Sequence, residues 1–427
     1  MRRAPKGFRL HIGIFGRRNA GKSSLLNAIT RQQVSIVSEV AGTTTDPVEK
    51  PMELLPLGPV LFIDTAGIDD SGALGQLRVV KTRQVFDRTD LGVIVAAAGE
   101  WGEFERRVQA ELRSREIPVV AVFNKNDLGR PRQELVARLR DEGVRVLETA
   151  LSLGLGVTEF REALLQVAPS DFLESRALIS DLLGPDRPAV LVVPIDKEAP
   201  KGRLILPQVQ AIRDVLDGGC FCLVVRDTEL ASALRVMKLR PGLVVTDSQA
   251  FGAVTAACPR ELPLTSFSIL YSRFKGDLEE QTRGALAVDD LRPGDRVLVA
   301  EACSHHPIED DIGRVKIPRW LRQYVGGELE FTTVQGHDFP DDISEYRLVI
   351  HCGACMWNRR EMLSRIMRCR AAGVPITNYG LVVARSLGIL ERAIEPFPAA
   401  IAVYRARCSL RPAIVGRAPS CRGEPCA

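Results

Sequence analysis

Short apolar runs alternate with amphipathic stretches along about the first 165 residues. The amphipathic stretches predict helices over Lys22 to Thr30, Glu103 to Ser114 and Arg132 to Asp141. The apolar runs have the length of β-strands and cover Leu10 to Phe15, Val60 to Asp64, Leu91 to Ala97, Pro118 to Phe123 and Val144 to Glu148. This alternation is typical of a mostly parallel sheet with helices on both faces.

The alternation begins again after two segments typical of linkers, Ala168-Pro169 and the proline- and glycine-containing residues 184–188. Further strands are predicted over Ala189 to Pro194, Phe221 to Val225, Leu243 to Thr246, Arg296 to Ala300, Leu348 to His351 and Val374 to Asn378. We therefore expect an α/β fold with three domains, over residues 1–168, 169–275 and 276–404. Residues 405–427 are rich in Arg, Pro, Cys and Gly, so we expect a disordered tail there.

Composition excludes several classes of protein. The chain has 57 basic and 53 acidic residues, a net charge of +4, and this balance predicts neither nucleic acid nor a membrane surface as a partner. No apolar run reaches the roughly 18 residues of a transmembrane helix. The N-terminal apolar stretch leads into a glycine-rich loop, so we interpret it as a first strand rather than a signal peptide. All ten cysteines lie from Cys220 onward, and in a cytoplasmic chain such clustering favours metal or redox chemistry.

A phosphate-binding loop follows the first predicted strand. Gly16-Arg17-Arg18-Asn19-Ala20-Gly21-Lys22-Ser23 matches every fixed position of the motif and lies between a predicted strand and a predicted helix. Backbone N–H groups of such a loop surround the phosphates at the positive end of the helix. Lys22 would reach the β- and γ-phosphates, and the Ser23 hydroxyl would bind Mg²⁺. The predicted phosphate-binding residues are Gly16, Asn19, Ala20, Gly21, Lys22, Ser23 and Ser24.

The residues after the later strands predict guanine rather than adenine as the base. Asp127 in Asn124-Lys125-Asn126-Asp127 can accept hydrogen bonds from guanine N1–H and its exocyclic amine, which adenine cannot offer. Asn124 would brace the loop and Lys125 would lie over the base. After the next strand, Thr149-Ala150 would place an alanine N–H at the guanine oxygen.

Asp64-Thr65-Ala66-Gly67 supplies the expected γ-phosphate side of the site. Asp64 would hold Mg²⁺ through water, and the Gly67 N–H would bind the γ-phosphate. Together the motifs, each at a strand end, predict a Ras-like P-loop GTPase domain that binds GTP and Mg²⁺. Ile68, which follows Gly67, cannot orient an attacking water as a glutamine would.

These motifs resemble the translation-factor-like GTPases, particularly the group that includes Era and MnmE. The resemblance covers about residues 8 to 168 and includes Gly42-Thr43-Thr44-Thr45-Asp46. It implies that Thr44 is the switch threonine that closes on Mg²⁺, and that Asn19 helps hold K⁺ beside the phosphates. Lys22, Thr44, Asp64 and Gly67 are then the catalytic residues, and the expected activity is slow, K⁺-stimulated GTP hydrolysis.

A second pair of motifs predicts a metal site. Cys303-Ser304-His305 and His351-Cys352-Gly353-Ala354-Cys355 each follow a predicted strand. Adjacent parallel strands would bring both motifs to one sheet edge. Three thiolates and two imidazoles suit either structural zinc or an iron–sulfur cubane with one unusual ligand, and the residues alone do not choose between them.

The order of the two motifs behind this GTPase resembles the HydF family, the [FeFe]-hydrogenase maturation GTPases. Cys-x-His is followed by 45 residues and then by His-Cys-x-x-Cys, and the resemblance reaches about residue 404. It implies a GTPase domain, a dimerisation domain and a cluster-binding domain in that order. It makes Cys303, Cys352 and Cys355 ligands of a [4Fe–4S] cluster, with His305 and His351 as candidates for the remaining iron.

The HydF resemblance also implies a role and partners. The protein would be a homodimeric scaffold or carrier that delivers a diiron precursor to apo-[FeFe]-hydrogenase, downstream of radical-SAM maturases. Two alternatives use the same residues differently. A ribosome- or tRNA-associated GTPase would share the first domain, and a zinc-stabilised regulatory GTPase would use the cysteines structurally.

Overall fold

The structure, a computed structural model, divides the chain into two compact units, Met1–Ser175 and Arg176–Ala427. It describes residues 5–31, 47–55, 57–65, 83–97, 99–173, 176–184, 186–195, 202, 204–302 and 311–410. Among these residues, no helix is both long enough and apolar enough to span a membrane.

The first unit is built on one six-stranded sheet with the order β2-β3-β1-β4-β5-β6. Its strands are β1 Leu10–Phe15, β2 Val48–Leu54, β3 Gly58–Asp64, β4 Leu91–Ala97, β5 Val119–Asn124 and β6 Arg145–Glu148. Its helices are α1 Lys22–Arg31, α2 Glu103–Ser114, α3 Gln133–Asp141, α4 Val157–Val167 and α5 Ser170–Leu173. All pairs are parallel except β2 with β3.

Helices cover both faces of this sheet, so its central strands are mostly apolar and largely buried. Every residue of β1 is buried. Ile12 and Ile14 belong to one apolar core, with Leu25 of α1, while Phe15 belongs to the other, with Leu112 of α2. The α/β fold predicted from the alternation is confirmed.

The second unit contains two four-stranded parallel sheets. The first has the order β10-β9-β7-β8, with β7 Ala189–Val192, β8 Cys222–Val225, β9 Leu243–Thr246 and β10 Leu264–Ser266. Helices α6 Leu206–Asp217, α7 Leu230–Val236 and α8 Phe251–Ala257 lie between its strands, and α9 Phe267–Lys275 follows directly on β10.

The second of these sheets has the order β12-β11-β13-β14. Its strands are β11 Arg296–Glu301, β12 Glu330–Gln335, β13 Leu348–His351 and β14 Ile376–Asn378, all parallel. Its helices are α10 Leu278–Leu286, α11 Ile317–Val325, α12 Arg359–Ala371, α13 Tyr379–Ser386, α14 Leu390–Ile394 and α15 Pro398–Leu410, with a π-helix over Ile312–Lys316.

Two glycines of the second unit allow close packing between its elements. A Cβ on Gly284 of α10 would lie 1.9 Å from the Ile376 carbonyl oxygen, and one on Gly380 would lie 2.8 Å from the Ser268 Cβ. Only glycine allows α13 to approach α9 this closely. The fixed contact between these helices places α9 beside the end of β13.

The first residues of the predicted C-terminal tail are helical. Arg405 was expected to open a disordered segment, but α15 continues through it to Leu410. Arg407 of that helix pairs with Asp290 at 2.7 Å, a contact that sequence composition does not reveal. The remainder of the expected tail, residues 411–427, lies outside the described residues.

Candidate functional site

The loop between β1 and α1 packs so closely that two of its residues must be glycine. A Cβ on Gly16 would lie 2.3 Å from the Val95 carbonyl oxygen. A Cβ on Gly21, where φ is +104°, would lie 2.1 Å from Nδ2 of Asn124. The loop therefore takes the conformation that the phosphate-binding motif requires, held between β4 and the end of β5.

Lys22 is held inside this loop. Its Nζ donates hydrogen bonds to the carbonyl oxygens of Gly16 at 2.5 Å and Arg17 at 3.0 Å, and the residue is only 8% exposed. Phosphate oxygens can replace these carbonyls as acceptors while the ammonium stays in place. Ser23 and Ser24 lie exposed at the start of α1, Ala20 is buried, and Asn19 is exposed in a left-handed conformation with φ of +62°.

Asp64 places a buried carboxylate beside the loop. It pairs in register with Ile14 of β1, and its Oδ1 has no hydrogen-bond partner within the described part of the chain. Burial raises the pKa of Asp64, and the nearby Lys22 ammonium opposes this shift. An oxygen left without a partner at this position fits a hydrated Mg²⁺, which prefers carboxylate and water oxygens.

Asn124 joins the guanine side of the site to the phosphate loop. Its Nδ2 donates to the Ala20 carbonyl oxygen at 3.2 Å, and its Oδ1 accepts from Thr149 Oγ1 at 3.3 Å and from Leu151 N at 3.2 Å. The residue is 3% exposed. The buried Asn124 side chain therefore links the end of β5 by hydrogen bonds to the phosphate-binding loop and to the loop after β6, as the predicted bracing role requires.

The other guanine-side residues lie at the adjoining ends of β5 and β6. Lys125 has a left-handed backbone with φ of +62°, and Asp127 is exposed beyond it. Thr149 and Ala150 are buried. Sequence reasoning missed Gly156, where φ is +93° and a Cβ would lie 2.5 Å from Thr149 Cγ2. Thr44 and Gly67, predicted to close on Mg²⁺ and the γ-phosphate, lie outside the described residues.

The strands that precede the two halves of the cysteine motif, β11 and β13, are neighbours in the sheet. β11 pairs in parallel with β13, with Ala300 opposite His351. Cys352 N donates to the Ala300 carbonyl oxygen at 2.9 Å, and the Cys352 sulfur accepts from Ala302 N at 3.1 Å. This confirms the predicted adjacency of the two strands, although Cys303 and His305 themselves lie outside the described residues.

Cys352 and Cys355 lie on one tight turn after β13. Both thiols are half-buried, and Ala354 between them has a left-handed backbone with φ of +52°. Gly353 completes the turn. Among the residues that the structure describes, no three metal-ligating side chains come together. The described half of the motif thus supplies two thiols at the sheet edge.

His351 supports this turn through both ring nitrogens. Nδ1 donates to the Cys352 carbonyl oxygen at 2.9 Å, and Nε2 lies 3.2 Å from Nη1 of Arg365, which donates to it. Burial, together with the Arg365 charge, lowers the pKa of His351 to about 3. The predicted role of His351 as an iron ligand would require it to give up the hydrogen bond from Arg365.

Arg365 is a buried residue beside this turn that sequence reasoning missed. It is 3% exposed, and its guanidinium lies 4.1 Å from the ring centroid of Trp357 and 4.6 Å from that of Phe339. Its Nη2 donates to the Gly336 carbonyl oxygen at 2.8 Å. A buried arginine in an apolar helix face gives no signal in a single sequence, because its partners come from distant segments.

The loop, the buried aspartate and the guanine-side brace define the first unit as a P-loop GTPase domain. Residues 11–125 match the family model described as 50S ribosome-binding GTPase. Residues 178–276 match the Hydrogen maturase F dimerization domain and residues 279–396 its tetramerization domain, together about half of the chain. The chain belongs to the HydF family.

The relatives that match the first unit in sequence are the GTPases MnmE and Der. The chain is 32% identical over 167 residues to the tRNA modification GTPase MnmE of Aquifex aeolicus, covering 38% of this chain and 36% of the relative. It is 38% identical over 122 residues to GTPase Der of Mycoplasmopsis pulmonis, covering 27% and 28%. The chain thus spans about a third of the length of the curated relatives it matches.

A solved structure, that of Era from Aquifex aeolicus bound to GDP·AlF₄⁻, is similar at 19% identity. It covers 58% of this chain and 97% of that chain, with a TM-score of 0.31.

Proposed function

We propose that this protein hydrolyses GTP, carries a [4Fe–4S] cluster on Cys303, Cys352 and Cys355, and delivers a diiron precursor to apo-[FeFe]-hydrogenase. The observation that supports this most strongly is the 3.1 Å hydrogen bond from Ala302 N–H to the Cys352 sulfur. It holds the residue that precedes Cys303 against the second half of the motif. The family membership reported above agrees with the proposal.

In the GTPase half of the proposal, the residues of the first unit position and neutralise the phosphates. Lys22 exchanges its loop carbonyl partners for β- and γ-phosphate oxygens. Asp64 holds the water shell of Mg²⁺, and Ser23 with Thr44 binds the ion directly. Asn19 places K⁺ beside the phosphates, which compensates for the missing glutamine at Ile68.

In the metal half, three thiolates leave one iron of a cubane without a cysteine. The donor chemistry fits, because the thiols of Cys352 and Cys355 lie half-buried on one turn at the sheet edge. When bound, such a cluster supplies an iron site that can take up and release a ligand, as a carrier requires. His305 and His351 are candidates for that position.

The partners in this proposal are apo-hydrogenase, radical-SAM maturases and a second copy of the chain, all in the cytoplasm.

The contact between two copies is proposed at β8. This strand is at the edge of its sheet, and its Leu223 and Val224 are 36% and 41% exposed. Parallel strands are ordinarily covered on both faces. We therefore place the homodimer contact at β8, within the segment that matches the dimerization model.

The delivery function is tested by activation of apo-hydrogenase. The anaerobically purified protein is loaded with a synthetic diiron complex and mixed with apo-hydrogenase, and H₂ evolution is measured. The wild type and Cys408→Ser, a half-buried cysteine outside the motif, should activate it, whereas Cys355→Ala should not. Equal activation by Cys355→Ala would contradict the carrier role.

A further inference from the structure

Tyr271 of α9 buries a hydroxyl that nothing in the described part of the chain binds. The side chain is 1% exposed and is among the largest fully buried ones, yet its hydroxyl has no hydrogen-bond partner among the described residues. Buried polar groups are nearly always paired, so an exception calls for an explanation, such as a ligand that is bound there in the working protein.

Helix α9 is fixed against the turn that carries the two cysteines. Lys275 Nζ donates to the Trp357 carbonyl oxygen at 2.6 Å, and Arg359 Nη1 donates to the Gly276 carbonyl oxygen at 2.7 Å. A Cβ on Gly353 would lie 3.9 Å from the Tyr271 Cβ. Tyr271 is therefore held beside the Cys352–Cys355 turn by hydrogen bonds at the end of its own helix and by this close approach to Gly353.

The electrostatics keep this hydroxyl protonated. Burial raises the pKa of Tyr271 well above its usual value, and the charge of the Cys355 thiolate raises it further. A neutral phenol carries a hydrogen-bond donor, and the Cys355 sulfur belongs to the turn that Tyr271 adjoins.

We propose that Tyr271 donates a hydrogen bond to the Cys355 sulfur when this sulfur binds iron, and that it thereby tunes the reduction potential of the cluster. The inference rests on the proposed cluster site. Reduction adds one negative charge to the cluster, so a donor to one of its sulfurs stabilises the reduced form more than the oxidised form. Tyr271 is thus a positioning and tuning residue, not an iron ligand.

Tyr379 provides the matched control. It is also buried, and the charge of the Cys352 thiolate contributes to its raised pKa. Its hydroxyl, however, donates to Oε1 of Glu301 at 3.4 Å. Arg314 and Gln335 bind the same carboxylate, each at 3.1 Å, so that loss of the Tyr379 hydroxyl leaves Glu301 paired.

The test is a potentiometric titration of the full-length reconstituted protein, followed by EPR. At a given applied potential, Tyr271→Phe should lower the ratio of reduced to oxidised cluster about tenfold, which is about 59 mV for one electron. Tyr379→Phe should change that ratio much less. In D₂O, electron–nuclear double resonance of the reduced wild type should show an exchangeable deuteron that Tyr271→Phe lacks.

Stability of the apoprotein gives a second readout that needs no iron. Because the Tyr271 hydroxyl has no partner, Tyr271→Phe should unfold at the same urea concentration as the wild type or a higher one, whereas Tyr379→Phe should unfold at a lower one. A destabilised Tyr271→Phe apoprotein would overturn the inference. If the wild type binds the iron–sulfur cluster but has the same reduction potential and the same deuteron signal as Tyr271→Phe, this inference fails and the proposed function stands. A wild type that takes up no iron and sulfide would overturn the proposed function and this inference with it.

Discussion

Asn124 shows how one side chain can serve both halves of a nucleotide site. Its amide links the carbonyl oxygen of Ala20 in the phosphate loop to Thr149 and Leu151 behind the guanine position. Its motif predicted a bracing role, but the sequence could not indicate that the brace reaches the phosphate loop. That contact depends on the adjacency of β1, β4 and β5 in the sheet.

Replacing Asn124 by alanine should therefore weaken both binding and stability. We expect Asn124→Ala to lower the free energy of unfolding by about 1–3 kcal/mol, because buried partners lose their hydrogen bonds, and to abolish tight binding of fluorescent GTP. Asn126→Ala is the control, since the one side-chain hydrogen bond described for Asn126 runs from its Nδ2 to Oε2 of Glu148 at 2.7 Å, and the substitution keeps its backbone N–H, which donates to the Thr149 carbonyl oxygen. Equal effects of both substitutions on GTP affinity would refute the bracing role.

Asn19 allows a test of the monovalent cation. Hydrolysis of GTP should be several-fold faster in K⁺ than in Na⁺ at equal ionic strength, and Asn19→Ala should remove this difference. Phosphate release is the measurement, and binding of a non-hydrolysable analogue should be little changed by the substitution. A rate that is the same in both salts would contradict the predicted K⁺ site.

At the scale of the elements, the strands of high apolar content were predictable from the sequence, whereas three edge strands, β2, β10 and β12, were missed. β1, β4 and β9 have the predicted bounds because they are buried on both faces and read as continuous apolar runs. β2 was missed, since it is an antiparallel edge strand that contains Pro51 and is buried only at Met52 and Leu54. The end of α15 depends on tertiary pairing and was likewise not predictable.

The residues of the candidate site also fall into those that the sequence predicted and those that it missed. Local motifs predicted the loop, Asp64 and the Asn124 brace, because their chemistry lies within a few consecutive residues. Arg365 and Tyr271 were missed, since their roles arise only when α12 and α9 pack beside the turn after β13. The placement of Thr44, Gly67, Cys303 and His305 stays a prediction.

The N-terminal end of β1 carries a buried histidine that makes the first unit sensitive to acid. His11 is 1% exposed, and its ring nitrogens lie 3.2 Å and 3.1 Å from the carbonyl oxygens of Arg88 and Lys6. Burial, with the charges of Arg88 and Lys6, lowers the pKa of His11 to about 3. The unfolded chain then binds a proton that the folded chain does not, from the ordinary pKa of about 6.5 downward.

Stability should therefore fall as the pH falls from about 6.5 towards 3. Between pH 7 and pH 5.5 we expect His11 to account for a loss of about 1 kcal/mol in the free energy of unfolding. Urea unfolding of the wild type and of His11→Gln at both pH values measures this, with the variant expected to lose less on acidification. The same loss in both proteins would show that other groups cause it.

At the scale of the whole molecule, the exposed edge strand β8 predicts how copies associate. Leu223→Glu places a charge on that edge and should convert the dimer to monomer in size-exclusion chromatography with light scattering. Leu55→Glu is the control, because Leu55 is 69% exposed and belongs to the other unit, outside the segment that matches the dimerization model. A dimer that survives Leu223→Glu would place the contact elsewhere.

The whole account depends on which metal the cysteine motif holds. The most direct measurement is a quantification of iron, sulfide and zinc in the protein purified without oxygen, with EPR after reduction. We expect about four irons and four sulfides per chain with the signal of a reduced cubane, lost in Cys352→Ala. One zinc per chain, with no iron after reconstitution, would contradict the account and leave a GTPase with a structural metal.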